Sequence, residues 1–105
     1  MPVFGSPFSG VANKNKLTHE ELIRSIRFMV AAEYEAVQLY MQLADSTDDQ
    51  FVQAVLKSIA DEERVHAGEF LKVLFHLAPE EEKHYKKGAE EVDVILKKTP
   101  NKQGK

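Results

Sequence analysis

Cysteine is absent from this chain of 105 residues. Without cysteine there can be no disulfide framework, no thiolate metal site and no iron–sulfur cluster. An excess of one sign of charge is also lacking, because 14 Lys and Arg face 17 Asp and Glu, which gives a net charge of −3. Proteins that bind nucleic acids usually carry a concentrated basic excess. We therefore expect no nucleic-acid partner.

Long apolar runs are lacking as well. No stretch approaches the roughly 20 apolar residues that a membrane-spanning helix needs. The first residues, MPVFGSPFSG, have neither the basic segment nor the long apolar segment of a secretory signal. These features predict a soluble, cytoplasmic protein without a membrane partner.

Glycine and proline are scarce, with 5 and 4 residues, and they are concentrated at the N-terminus. Residues 1–17 hold two of each and show no helical period, although Phe4 and Phe8 are apolar. We predict an extended N-terminal arm over 1–17 and a flexible tail over 99–105.

The remaining residues, 18–98, predict three helices. Thr18 and Glu21 form a capping-box pattern at the start of the first helix, and five small polar residues at 45–49 interrupt the helical pattern. Pro79 suits the first turn of a third helix. The predicted bounds are 19–44, 48–77 and 79–98. The short connection predicts an antiparallel two-helix hairpin, so the fold class is all-α, with the shorter C-terminal helix added to the hairpin.

An apolar seam with alternating steps of four and three residues runs along both long helices. Glu33, Glu63 and His66 break its apolar character in mid-helix, and a buried carboxylate must be neutralised, paired or bound to a metal. The seam consists of Leu22, Ile26, Met29, Glu33, Ala36, Tyr40 and Leu43 in the first helix, and of Val52, Leu56, Ile59, Glu63, His66, Phe70, Val73 and Leu77 in the second. The third helix has a weaker stripe that we predict to be buried, formed by Tyr85, Ala89, Val92, Ile95 and Leu96.

The spacing Glu63-x-x-His66 puts a carboxylate and an imidazole side by side on one helix face. Folding the hairpin brings Glu33 within about one turn of them. A Glu from one helix and a Glu-x-x-His from its neighbour are half of the di-iron site of helical bundles, so a second copy of the chain must supply the other half. Two plainer interpretations stay open: Glu33 pairs with a basic residue, or His66 is a hydrogen-bonded core residue. Glu62 and Glu69 lie off the seam and are expected to be solvated.

Two stretches, AAEYEAVQLY at 31–40 and ADEERVHAGEF at 60–70, resemble the encapsulated ferritins. These proteins are two-helix relatives of ferritin and rubrerythrin and are cargo of encapsulin nanocompartments. The resemblance implies that Glu33, Glu63 and His66 bind iron in a ferroxidase centre shared by two subunits. It implies a homodimer that completes a four-helix bundle, dimers that assemble into a decameric ring, and Tyr40 beside the metal site.

The resemblance also has implications for iron access and for partners. Glu35 matches one of two acidic residues that flank the ligand Glu where iron enters, whereas Ala32 occupies the other position. Location inside an encapsulin nanocompartment is implied, with the shell protein as a partner. The C-terminal residues KKTPNKQGK lack the Leu/Gly/Ser pattern of the usual docking peptide.

The expected function is therefore oxidation of Fe(II) by O₂ at a di-iron site, for iron storage or detoxification. The donor set also suits other ions, so Zn, Mn or Ca can substitute for iron. Two alternatives stay open at this point. One is a rubrerythrin-like di-iron peroxidase, and the other is a non-catalytic helical assembly that holds a structural metal.

Overall fold

The computed structural model describes residues 10, 12 and 14–100. Most of the predicted arm and nearly all of the predicted tail lie outside these residues. The molecule measures 55 × 44 × 17 Å between Cα atoms, so it is thin in one direction. None of the described helices is long and apolar enough to cross a membrane.

Helix α1 spans His19–Asp45 and begins as the sequence predicts. Thr18 Oγ1 accepts a hydrogen bond from the Glu21 backbone N–H (3.2 Å), and Glu21 Oε1 accepts one from the Thr18 N–H (2.8 Å). This reciprocal pair satisfies two of the N–H groups that a helix start leaves free. The helix ends one residue later than predicted, where the Ser46 N–H donates to the Leu43 carbonyl.

Helix α2 spans Gln50–Leu77 and begins two residues later than predicted. Asp49 explains the difference, because its carboxylate accepts from the backbone N–H groups of Phe51 and Val52 and so makes Asp49 the N-cap. The Gln53 side chain donates to the Thr47 carbonyl across the turn. At the other end of the hairpin the His19 ring lies 2.9 Å from the Leu77 carbonyl oxygen, which ties the start of α1 to the end of α2.

The core of the hairpin is a narrow stripe between α1 and α2. Its members recur at multiples of seven residues, and alanine predominates, so the two helices can approach closely. The buried residues are Ile23, Val30 and Ala44 in α1, and Ala60, Ala67 and Leu74 in α2.

The predicted seam lies at the edge of the surface along which the hairpin closes, and none of its residues is fully buried. Several seam side chains are about 36–55% exposed; they are Leu22, Met29, Leu43, Val52 and Val73. Each helix has an apolar arc that is wider than one seam, and the small alanines bring the two helices together along the edge of that arc. The seam is left as a half-exposed face on one side of the hairpin, apolar except at Glu33, Glu63 and His66.

Helix α3 spans Pro79–Lys98 and projects away from the hairpin. It packs on α2 through its first turns, where the Phe75 and Tyr85 rings meet edge to face with centroids 5.6 Å apart. No residue of α3 is buried. The prediction of a buried stripe on α3 is therefore wrong for the single chain, because the helix leaves the hairpin before Val92 and Ile95 can reach it.

An ionic contact from α1 fixes the direction of α3. Arg27 donates two hydrogen bonds of 2.8 Å to the Glu81 carboxylate, and the Tyr85 hydroxyl donates to the same group. The paired, planar geometry of an arginine and a carboxylate restrains orientation as well as distance. The Arg27 bond, followed by the Tyr85 bond, lowers the pKa of Glu81 from its ordinary value of 4.5 to about 2.

We expect the Glu81→Gln substitution to loosen the start of α3, because a neutral amide cannot accept two charge-assisted bonds from Arg27. Amide hydrogen exchange over residues 79–88 should become faster, while exchange in the hairpin core stays unchanged. Glu80→Gln is the matched control, since Glu80 pairs only with the exposed Lys83. Equal exchange in the two variants would contradict this role of Glu81.

The same contact should give α3 a defined acid sensitivity. The pKa of Glu81 is lowered in the folded chain to about 2, so its stabilising effect is complete above pH 4.5 and is lost as the pH falls through about 2. We expect the Tyr85 ring signals in NMR spectra to stay native down to about pH 3 and to change below it. In Glu81→Gln the same signals should not depend on pH in this range.

Candidate metal centre

Three predicted site residues meet on the apolar face of the hairpin. Glu33 projects from the middle of α1, and Glu63 and His66 project from the middle of α2. One ligand atom from each lies within 4.8 Å of the others. The regular helical spacing brings Glu63 and His66 together, whereas packing of α1 on α2 brings Glu33 to them.

Distances within this cluster suit a shared cation better than a direct hydrogen bond. His66 Nδ1 lies 3.5 Å from Glu63 Oε2 and 3.7 Å from Glu33 Oε2. Both distances are long for a charge-assisted hydrogen bond, which is usually about 2.7–2.9 Å. Ligand atoms that bind one ion through bonds of about 2 Å lie roughly 3–4 Å from each other.

The two carboxylates are mostly buried, although neither forms an ion pair with a lysine or an arginine among the described residues. The Glu33 and Glu63 side chains are 16% and 18% exposed, while the His66 side chain is 47% exposed. Glu33 Oε2 is fully buried and has no hydrogen-bond partner among the residues that the structure describes. An unpaired buried carboxylate oxygen is costly, and a bound cation would remove that cost. The donor set of carboxylates and an imidazole suits iron, manganese and zinc.

A cleft of about 350 Å³ lies beside the cluster, and Glu33, His66 and Glu69 line it together with Phe70 and Val73. A larger cleft of about 500 Å³ lies on the other side of the hairpin, lined in part by Tyr34, Arg64 and Gly68. Arg64 there is already paired with Asp61. The smaller cleft is therefore the chemically relevant one, because it alone of the two contains the clustered carboxylates and imidazole.

The other predicted site residues lie outside the cluster. Tyr40 is half-buried, two turns after Glu33 on the same face of α1. Glu35 is exposed and lines a separate cleft with Phe28, Met29 and Ala32. The roles of Tyr40 and Glu35 stay predictions.

Glu69 is a further acidic residue next to the candidate centre. Its position off the seam predicts a solvated side chain, and the side chain is exposed, yet it lines the same cleft as Glu33 and His66. Its position three residues after His66 was the available signal, since residues at i and i+3 are neighbours on a helix surface.

The fold and the cluster together define a ferritin-like helical protein with a carboxylate–histidine candidate metal centre. The sequence profile of the rubrerythrin family matches residues 25–103, so the chain belongs to that family. In structure, it is similar to the encapsulated ferritin domain from Pyrococcus furiosus, with a TM-score of 0.80 and 36% sequence identity, over 86% of this chain and 91% of that one. The resemblance to the encapsulated ferritins is thereby confirmed.

Two curated relatives agree with this assignment. One is the encapsulin nanocompartment cargo protein EncC of Myxococcus xanthus, to which the chain is 38% identical over 90 residues. The aligned region covers 86% of this chain and 68% of that protein. The other is the ferritin-like–encapsulin shell fusion protein of Pyrococcus furiosus, to which the chain is 41% identical over 84 residues. This alignment covers 79% of the present chain. The match spans only 24% of the fusion protein's length.

Proposed function

We propose that this protein is a ferroxidase that oxidises Fe(II) with O₂ at a di-iron site shared by two copies of the chain. The observation that carries the proposal is the convergence of Glu33, Glu63 and His66 around the buried, unpaired Glu33 Oε2. Membership of the rubrerythrin family and likeness to an encapsulated ferritin domain support it.

The need for a second copy follows from the number of ligands and from the exposed seam. One chain offers three side chains, which is half of the set that di-iron helical bundles use. The half-exposed seam surrounds these three residues, and a second hairpin placed on it would bury apolar surface and add the missing ligands. We propose a homodimer as the smallest active unit, with dimers assembling further into a decameric ring.

Iron is the substrate in this proposal. The carboxylates of Glu33 and Glu63 would hold two Fe(II) ions close to each other and offset their growing positive charge, while His66 would complete their coordination. At each site two Fe(II) ions give one electron each to O₂, which takes up two protons from water and is reduced to hydrogen peroxide, and the Fe(III) product leaves for storage elsewhere. A thin hairpin with an additional helix encloses no cage of its own.

The storage compartment that we propose is an encapsulin shell. The Myxococcus xanthus relative is named as an encapsulin nanocompartment cargo protein, and the Pyrococcus furiosus relative is a fusion of a ferritin-like domain with an encapsulin shell protein. We therefore propose that this chain works in the lumen of such a shell, with the shell protein as its partner.

The direct test is to add Fe(II) to the purified protein without oxygen and then to admit air. A ferroxidase is expected to bind two irons per dimer and to oxidise repeated additions of Fe(II) at a constant initial rate, followed by the absorbance of Fe(III). A non-catalytic metal-binding assembly would oxidise no more iron than it binds. That result would contradict the proposed function.

A second candidate, a di-iron peroxidase, is favoured by the match to the rubrerythrin family. The chain contains no cysteine, so a peroxidase would need electrons from another protein. Comparing oxidants separates the two functions. We expect O₂ to support repeated oxidation of Fe(II), whereas a peroxidase would react much faster with hydrogen peroxide than with O₂.

A further inference from the structure

Glu69 stands at the mouth of the cleft that leads to the candidate metal centre. It is exposed and lies one turn after His66 on α2, and it lines this cleft with Glu33 and His66. None of the ion pairs among the described residues includes Glu69. The cleft therefore has, at its exposed end, a carboxylate that is engaged in no ion pair with any described residue.

The inner end of the same cleft is negative as well. Glu33 also lines it, and the Oε2 atom of Glu33 is buried and without a hydrogen-bond partner. Phe70 and Val73 form apolar walls next to these groups. Walls of low polarity reduce screening by water, so the field of the two carboxylates is concentrated along the cleft.

Apart from Glu33, helix α1 supplies no acidic side chain to this cleft. Glu35, the acidic residue that sequence comparison favoured for iron uptake, lines a cleft with Phe28 and Met29 that neither Glu33 nor His66 reaches. Ala32, at the other position, carries no charge. The acidic residue that lines the cleft together with Glu33 and His66 is thus supplied by α2. Phe70 and Val73 lie on the seam that the proposed second copy would cover, whereas Glu69 is exposed and lies off the seam, so Glu69 would stay at the rim of the shared centre.

We propose that Glu69 first captures the divalent cation at the mouth of the cleft and delivers it to Glu33, Glu63 and His66. This inference rests on the proposed function and assigns the route of its substrate. One exposed carboxylate holds a cation weakly, so the ion is released readily to the site with three ligands. Glu69 is therefore a delivery residue and not a ligand of the oxidised pair.

The test compares Glu69→Gln with Glu62→Gln. Glu69 lies three residues after His66 and Glu62 lies four residues before it, and both are exposed on the same edge of α2. Each change removes one negative charge, but only Glu69 lines the cleft. Initial rates of Fe(II) oxidation are measured against Fe(II) concentration at low and high salt. We expect Glu69→Gln to raise KM about threefold to tenfold, to change kcat less than about twofold, and to weaken the salt dependence of kcat/KM.

A second readout does not depend on oxidation. Co(II) is mixed rapidly with the metal-free protein, and its visible absorbance reports both the rate of binding and the final coordination. In Glu69→Gln the rate of binding should fall about threefold to tenfold, with the same number of ions bound and the same final spectrum. In Glu62→Gln both the rate and the spectrum should match the parent protein.

The outcomes are distinct. Equal KM and equal Co(II) binding rates in the two variants would overturn the delivery role of Glu69 and leave the proposed ferroxidase intact. A changed final Co(II) spectrum in Glu69→Gln would also overturn it, because Glu69 would then be a ligand. Failure of the parent protein to bind Co(II) or to oxidise Fe(II) repeatedly would contradict the proposed function itself.

Discussion

Replacing Glu63 or His66 with alanine is expected to lower the rate of Fe(II) oxidation by about tenfold or more. If a two-fold axis relates the two halves of the site, each change removes two ligands per dimer. The loss affects both the affinity for iron and the placement of two irons near each other. The measurement is the initial rate of Fe(II) oxidation in air, with Glu62→Ala and His76→Ala as controls that change the same residue types on α2 outside the cluster.

Stability of the metal-free protein separates this interpretation from a structural role. Glu63 and His66 are held by no close hydrogen bond to each other or to Glu33, so their removal should leave the melting temperature unchanged or raise it. In Glu63→Ala, relief of repulsion between the half-buried carboxylates acts in the same direction. If both were satisfied core residues instead, each loss would cost roughly 1–3 kcal/mol. A destabilised variant that still oxidises iron at the parent rate would end the di-iron hypothesis.

Breaking the apolar seam is expected to have the second large effect. Leu22 lies on the seam, is 37% exposed in the single chain, and is eleven residues, or about 16 Å of helix, from Glu33. In a dimer that buries the seam, Leu22→Asp would replace two buried leucine side chains, one from each copy, with two buried carboxylates. We expect the dissociation constant of the dimer to rise about a hundredfold or more.

Light scattering in the presence of excess divalent metal measures this change. In Leu22→Asp the rate of Fe(II) oxidation at low protein concentration should fall as the fraction of dimer falls. The rate should recover at high protein concentration, because the three candidate ligands of each chain are unchanged. Val65→Asp is the control, because Val65 is 62% exposed and lies off the seam. A parent protein that stays monomeric with excess Fe(II) would contradict both the dimer and the shared site.

Features that depend on neighbours in the sequence were predictable. The Thr18–Glu21 capping box and the start at Pro79 join residues within one turn, so local geometry determines them. The pairing of Glu63 with His66 has the same origin. The start of α2 was placed two residues too early, because several polar residues at 45–49 can cap a helix and only the structure identifies Asp49.

Features that depend on how the helices are rotated against each other were not predictable. The hairpin closes most tightly along Ala60 and Ala67, and the predicted seam lies at the edge of that contact. A helix with a wide apolar arc can turn either edge of it towards a partner, and the choice depends on which side chains allow the closest packing. The same rotation decides that Glu69 lines the cleft and that Glu35 does not.

The sequence by itself determined the all-helical hairpin, the ends of its helices to within two residues, and the two carboxylates and the imidazole in mid-helix. Periodicity and capping are local properties, and they need no knowledge of the partner helix. Only the tertiary structure decided that Glu33 meets Glu63 and His66, that its Oε2 is buried without a partner, and that an apolar face is left uncovered beside them. These features depend on contacts between residues far apart in the chain, whose geometry is set by packing in three dimensions.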